Sequence, residues 1–318
     1  MNEHFLTEIE IKQFKCFTDF KASGFRRVNL IGGKNNIGKT AFMEACYINV
    51  HSANINTTVT AIYSINHSRE YLNIVDKSIF YEKITDAIKN YWSESNLNKI
   101  QFRIAEKDAI KTYTLSINGV LKLINGKDFN VAIECISNIK FIDNFGWSNS
   151  ELIKAFQSVQ KQDHENELSG FIKEFDGSIE VFKVIGDKPQ CKVNGEYRDI
   201  VEFGDGLRHY ISIICALYAC ENGYLFVDEI DNGIHHTQLD RLWEIILTLS
   251  KKNNCQLFAI THSREMLESF TRVAKKLEER DISYTRLVKN KQQEIKTVVM
   301  DYEMLLDSIA QGREVRGW

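Results

Sequence analysis

The stretch NLIGGKNNIGKTAFMEA, from Asn29 to Ala45, runs from an apolar segment through glycines and asparagines into a helical pattern. Gly33, Gly38, Lys39 and Thr40 fit the spacing G-x-x-x-x-G-K-[ST]. Glycines at these positions let backbone N–H groups turn inward around phosphate oxygens, and a helix opening at the loop's end offers its positive dipole end to the same anion. Lys39 is placed to reach β- and γ-phosphates, and the Thr40 hydroxyl to ligate Mg²⁺. This reading assigns Gly33, Lys34, Asn35, Asn36, Ile37, Gly38, Lys39, Thr40 and Ala41 to a triphosphate cradle. A second signal is YLFVDEID, where Asp228 ends an apolar run. A carboxylate there can hold Mg²⁺ directly or through water, and Glu229 is well placed to polarise an attacking water. Thr40 and Asp228 are therefore the expected metal ligands, with Lys39 and Glu229 in catalytic roles.

The elements that must position these residues read as follows. LTEIEIKQFKCF alternates as a strand, with Ile9, Ile11 and Phe14 on one face. RVNLIGG reads as a buried strand, and Thr40 to about Ile48 as the helix after the loop. Residues from about 54 to 97 read as mixed and helical, clearest in DKSIFYEKITDAIKNYW. KIQFRIAE and KTYTLSINGVLKLI alternate around Asn118-Gly119, a hairpin turn signal, and NIKFIDNF is a further short strand. SELIKAFQSVQKQDHENELSGFIKEF is helical, and SIEVFKVIG with CKVNGEYRDI forms a second hairpin on another Asn-Gly. In the last third, GDGLRHYISIICALYACENG is an apolar helix from Leu207 with Gly223 placed to end it. YLFVDEID, TQLDRLWEIILTLSKKNN and CQLFAITHS then give strand, helix and strand, the spacing of a parallel α/β core. SYTRLVKNKQQEIKTVVM closes as a hairpin. The strands around 98–142 and 179–197 read as antiparallel, so the expected fold is α/β with a mixed sheet. It divides into an N-lobe over 1–147, a short helical insertion over 148–175 and a C-lobe over 176–318.

Bulk properties limit the alternatives. The hydrophobic fraction of 43% over 318 residues is enough to bury a sizeable core. A net charge of -3 gives no global basic field, so any nucleic-acid contact must be a local patch. The basic runs TRVAKKLEER and TRLVKNKQQEIK are interleaved with acids and read as solvated faces. Seven scattered cysteines without a C-x-x-C fit reduced thiols and a cytoplasmic location. No basic-then-apolar leader and no long apolar run suggests export or a membrane span. The one proline, Pro189, rules out Pro-rich linkers.

Distance separates kinds of phosphate-loop protein. Small GTPases and P-loop kinases bring the two signals much closer together than Thr40 and Asp228 are here, so something is inserted between them. With IEIKQFKCF, VNLIGGKNNIGKT, FGDGLRHY, YLFVDEIDNGIHH and FAITHS in this order, the chain resembles the ABC-type AAA ATPases of the OLD/RecF/SMC-like group, including bacterial phage-defence ATPases. The resemblance covers both ends well and the middle poorly. It implies an ABC-type P-loop ATPase head that binds ATP and Mg²⁺ and hydrolyses ATP. It also implies two ATP molecules sandwiched between two subunits, as a homodimer or higher homo-oligomer. Gly204, Asp205, Gly206 and Arg208 stand where the signature that grips the partner's nucleotide belongs. FGDGL replaces the family's LSGGQ, and Asp205 is an odd neighbour for an anion that Arg208 either offsets or supplements by acting on the phosphate. His262 stands at the switch histidine, a third catalytic residue. Asp231, Asn232 and Gly233 correspond to the loop that crosses to the partner, which makes His235 an interface residue; adjacent side chains such as His235 and His236 seldom meet on one metal.

OLD-like nucleases continue into a TOPRIM domain with clustered acids. Here the segment after His262 has room for a hairpin and a helix. The resemblance therefore implies an ATPase that controls a separately encoded effector, TOPRIM or RloB-like, in anti-phage defence. The alternative is a RecF/SMC-like DNA-binding ATPase of repair.

Overall fold

The computed structural model describes residues 5–52, 57–58, 60–62, 64–65, 99–106, 109–117, 121–122, 136–144 and 146–311. The Asn118-Gly119 turn and the run DKSIFYEKITDAIKNYW lie outside the described residues.

The chain opens with the hairpin β1 (Glu8–Phe14) and β2 (Phe17–Ser23), in which Glu8 faces Ser23 and Phe14 faces Phe17. Ile9 and Ile11 of β1 are buried while their neighbours are not, the period-2 pattern of a one-sided strand. β2 was not anticipated from sequence: FTDFKAS lacks clean alternation, and its pairing with β1 supplies the order. Next come β3 (Val28–Gly33) and α1 (Lys39–Val50). The antiparallel strands β4 (Lys99–Glu106), β5 (Ala109–Ile117) and β6 (Leu121–Lys122) join the first hairpin in one sheet, ordered β2-β1-β4-β5-β6.

β7 (Ile139–Ile142) departs from the expected antiparallel arrangement: it runs parallel to the later strand Tyr224–Val227, with Ile139 opposite Tyr224. Four residues carry no information about which partner they will meet. α2 (Asn149–Lys161) and α3 (Glu165–Phe175) follow in the expected helical stretch, separated at Asp163, whose φ is +56°. Ser148 starts α2 with a reciprocal capping box to Glu151. β8 (Val181–Ile185), β9 (Lys188–Val193) and β10 (Glu196–Asp199) form a small antiparallel sheet. Its second turn is Asn194-Gly195 with φ of +52° and +83°, as the sequence signal implied.

α4 (Asp205–Ala219) begins two residues before the expected Leu207 and ends before Gly223. Gly223 instead belongs to the entry of β11 (Tyr224–Val227): its N–H donates to the Cys220 carbonyl and its own carbonyl accepts from Gln256. α5 (Leu239–Lys252), β12 (Gln256–Ile260), α6 (Arg264–Lys276), the antiparallel pair β13 (Ile282–Lys289) and β14 (Ile295–Asp301), and α7 (Tyr302–Ala310) complete the described chain.

The central sheet has the order β14-β13-β3-β12-β11-β7, parallel throughout except for β14. All five residues of β12 and three of four in β11 are buried, as expected of strands covered on both faces. One apolar layer packs α2, α4, α5 and α6 on one face; Trp243 and Phe270, with ring centroids 4.5 Å apart, sit within it. The other face carries α1 and the first hairpin, with Phe226 and Phe258 stacked at 5.3 Å. Buried polar groups fix β3. The Asn29 amide donates to the Arg26 and Leu257 carbonyls, while its oxygen accepts from Arg26 N–H and Ser283 Oγ. Arg27 is ion-paired to Glu279 at 2.7 Å and donates to the Leu247 carbonyl. β3 is thus held on both flanks just before the loop it delivers.

Candidate functional site

The loop between β3 and α1 turns through left-handed backbone at Asn36, with φ of +57°, and Gly38, with φ of +102°. At Gly38 both the conformation and the space exclude a side chain, since a Cβ would lie 2.5 Å from Cys16 Sγ. Gly38 caps α1 without any side-chain hydrogen bond, so the first-turn N–H groups face the loop's interior uncapped by a side chain. Lys39, only 5% exposed, donates from Nζ to the carbonyls of Gly33 and Lys34, each at 2.9 Å. Burial lowers its pKa to about 8, against the opposing pull of Asp228 and Glu229. Ile37 turns the other way and packs into the apolar layer beneath the loop.

Because β3, β12 and β11 are adjacent and parallel, the loops leaving their C-terminal ends emerge on one edge of the sheet. Asp228 N–H donates to the Ile142 carbonyl and Ile230 N–H to that of Ile260, so the loop after β11 is tied to the strands on both sides. Glu229 between them holds a φ of +49°, a left-handed conformation that costs a non-glycine residue about 1–2 kcal/mol. Its carbonyl accepts from Asn232 N–H at 2.8 Å. Glu229 Oε1 lies 4.0 Å from His262 Nε2, both side chains about two-fifths exposed. Burial first, then Lys39, lower the His262 pKa, so the imidazole is neutral at neutral pH. Thr261 donates to Asp231 Oδ1 at 2.7 Å, joining the loop after β11 to the one after β12.

These loops enclose an open cleft of about 890 Å³. Asn35, Asn36, Gly38, Lys39, Thr40 and Ala41 line one side, Glu229, Asp231, Asn232 and Gly233 another, and His262 completes it. Gly33 and Lys34 contribute carbonyls to Lys39 rather than surface to the cleft, and Asp228, though not lining it, is near enough to act on Lys39. The residues fit a magnesium-bound polyphosphate. An uncapped helix start and a lysine held only by carbonyls suit the phosphates, and a threonine hydroxyl and an aspartate are hard oxygen donors of the kind Mg²⁺ takes.

The expected signature residues lie apart from this cleft. Gly204 precedes α4 with φ of +84° and no side-chain cap, and Asp205 is exposed in the first turn. Arg208 is engaged within the chain, donating to the Trp147 carbonyl at 3.0 Å and to Asn149 Oδ1 at 2.6 Å. Gly206 backs directly onto Gly233: a Cβ on Gly206 would sit 1.9 Å from the Gly233 carbonyl oxygen. One turn further, His209 is 3% exposed with neither ring nitrogen hydrogen-bonded, and it faces the backbone of Glu229 and Ile230. Burial pushes its pKa down to about 4. A buried, unpaired polar group costs about 1–3 kcal/mol, so an apolar residue would serve packing better. Sequence reasoning passed over His209 because it sits in an otherwise apolar helical run. His235 and His236 lie with ring centroids 4.1 Å apart, and His235 pairs with the Thr237 hydroxyl.

A family model described as AAA ATPase domain matches residues 46–267, a span that includes α4, Asp228, Glu229 and Asp231 of the β11 loop, and His262. The chain belongs to the AAA ATPase domain family. This ATPase is 26% identical over 340 residues to the ATP/GTP phosphatase of Helicobacter pylori, a match covering 88% of this chain and 90% of that protein. It is also 29% identical over 145 residues to the DNA replication and repair protein RecF of Francisella tularensis, covering 45% of this chain and 38% of that protein. Among solved structures, an SMC head bound to the C-winged helix domain of ScpA aligns with a TM-score of 0.56 at 13% identity, covering 94% of this chain and 99% of that one. An SMC head with an extended coiled coil from Pyrococcus furiosus aligns at 0.51 and 12% identity, covering 98% and 100%. The fold of this AAA ATPase is that of an SMC head. Among the described residues no helix is long and apolar enough to cross a membrane.

Proposed function

We propose that the chain hydrolyses ATP in the cleft between the β3–α1 loop and the loops after β11 and β12, and that two copies close on the nucleotide from opposite sides. The observation that carries this reading is the convergence of Lys39, Glu229 and His262, from three separate parts of the sequence, on one cleft. The uncapped N–H groups at the start of α1 bind phosphate oxygens, and Lys39 exchanges its two carbonyl partners for phosphate charge. Thr40 and Asp228 hold Mg²⁺, which when bound neutralises charge on the phosphate oxygens. Glu229 orients the attacking water and accepts its proton, and neutral His262 hydrogen-bonds the terminal phosphate or that water. Gly204, Asp205, Gly206 and Arg208 of a second copy seal the cleft; Arg208 must leave Trp147 and Asn149 to reach an anion. Phosphate release by the purified chain tests the assignment: Lys39→Ala should abolish binding or turnover, and Glu229→Gln should spare binding and stop turnover. Unchanged hydrolysis in both variants would refute it.

The same engine serves, in this reading, to control a separately encoded TOPRIM or RloB-like effector in cytoplasmic anti-phage defence. Its support is resemblance to OLD-like ATPases, an argument from likeness rather than from the site. Co-purification with the product of the adjacent gene, in ATP and in ADP, tests it; no nucleotide-dependent association in either state counts against it. A second reading, a DNA-binding repair ATPase, is favoured by the RecF likeness. It requires a DNA affinity that falls steeply with salt.

A further inference from the structure

We propose that His209 is a positioning residue for hydrolysis: from the first turns of α4 it braces the Glu229–Ile230 backbone and so sets the attitude of the Glu229 carboxylate. The inference deepens the proposed site and rests on the reading of Glu229 as the water-orienting group.

Three observations carry it. Glu229 sits in a left-handed backbone conformation, which persists only where surroundings over-determine it. Hydrogen bonds to Ile142 and Ile260 fix the residues on either side of Glu229, and Asn232 N–H occupies one position on the Glu229 carbonyl. His209 faces it, fully buried, its two nitrogens unused by any other partner in the described chain. A neutral imidazole has one N–H to donate, and a backbone carbonyl can accept twice. Gly146, from the loop between β7 and α2, closes over the ring: a Cβ there would come within 3.7 Å of Nδ1.

The second contact of α4 with the same loop makes the brace directional. Gly206 and Gly233 touch backbone to backbone, so α4 lies against the loop after β11 at two points, with Gly206 at Gly233 and His209 beside the Glu229–Ile230 backbone. A displacement of the α4 N-terminus, such as a second copy's nucleotide would impose there, must then be felt at Glu229. Coupling of this kind needs a rigid element with contacts at both sites, which α4 provides.

The test uses the purified full chain with His209→Phe, His209→Asn and Glu229→Gln in parallel. For each, kcat, KM for ATP and Tm are measured. His209→Phe keeps the buried volume without a donor and should lower kcat about tenfold or more, with KM within about twofold and Tm not reduced. His209→Asn restores a donor and should recover much of the lost kcat. Turnover of His209→Phe within twofold of the parent overturns the proposal. So does a joint fall of kcat, ATP affinity and Tm in which Asn does no better than Phe, because that is loss of packing. If Glu229→Gln is inactive while His209→Phe is active, the brace alone is wrong. If Glu229→Gln turns over normally, the reading of Glu229 fails and the brace with it.

Discussion

Two helix starts in this molecule are built alike and placed differently. α1 and α4 both follow a glycine with positive φ, and neither has a side-chain cap. At α1 the N-terminus opens into a cleft furnished with Lys39, Glu229 and His262. At α4 it opens away from that cleft: Gly204 has free space around it, Asp205 is exposed, and Gly206 leans on the back of the loop lining the cleft. The first faces groups from three separate loops of its own chain. The second meets no such groups among the described residues, and in the proposed assembly its ligand comes from a second copy. Two uncapped helix starts therefore differ in functional content depending on what the sheet delivers opposite them.

The sharpest way to break this contrast is at α1. Lys39→Ala should reduce ATP turnover by about a hundredfold or more, since it removes the charge opposing the phosphates. A radiometric phosphate-release assay with nucleotide binding measured alongside checks it. Next in size, Glu229→Gln should lower kcat by about a hundredfold while retaining ATP, and light scattering should show a larger assembly with ATP than without. An ATP-retaining monomer would detach α4 from the nucleotide. Gly206→Ala should act through the loop that lines the cleft: its Cβ would overlap the carbonyl of Gly233, destabilising the fold by about 1–3 kcal/mol and lowering Tm by several degrees.

The smallest expected effect lies far from both helix starts. Arg272 holds the Asp240 carboxyl below its usual pKa, and hydrogen bonds from Lys276 and Arg241 do the same for Glu244. A carboxylate with a depressed folded pKa adds stability above its unfolded pKa and loses it as pH falls through the folded value. The contribution of these carboxylates should therefore hold from pH 7 to about 5 and be lost below the ordinary carboxylate range, whereas the buried neutral His209 should already lower Tm as pH falls below the ordinary histidine range. These pairs are half-exposed and screened, so Asp240→Asn should cost under about 1 kcal/mol and leave KM for ATP unchanged. A large change in KM would mean that α5 and α6 do more than cover the sheet.

Much of the cleft was legible from residue order because its signals are local. Gly33 to Thr40 obey a rule of backbone conformation and charge, and YLFVDEID announces a buried strand ending in acids. β2 and β7 were less legible: one was passed over and the other assigned the wrong neighbours, since short strands are specified by their partners. The start of α4 shifted by two residues because Gly204 and Asp205 form a good opening without a sequence mark that says so. His209 carried no signal, since a histidine in an apolar helix looks the same whether it fills space or braces a loop.

Residue order alone marked Gly33 to Thr40 as a candidate phosphate loop, because that pattern lies within a few consecutive residues. The tertiary structure decided that Lys39, Glu229 and His262 share one cleft. Only the parallel order β3-β12-β11 brings three distant strand ends to the same edge. It also decided that Arg208 is tied back to Trp147 and Asn149, and that His209 lies under Glu229, because both depend on where α4 packs rather than on what precedes or follows it in sequence.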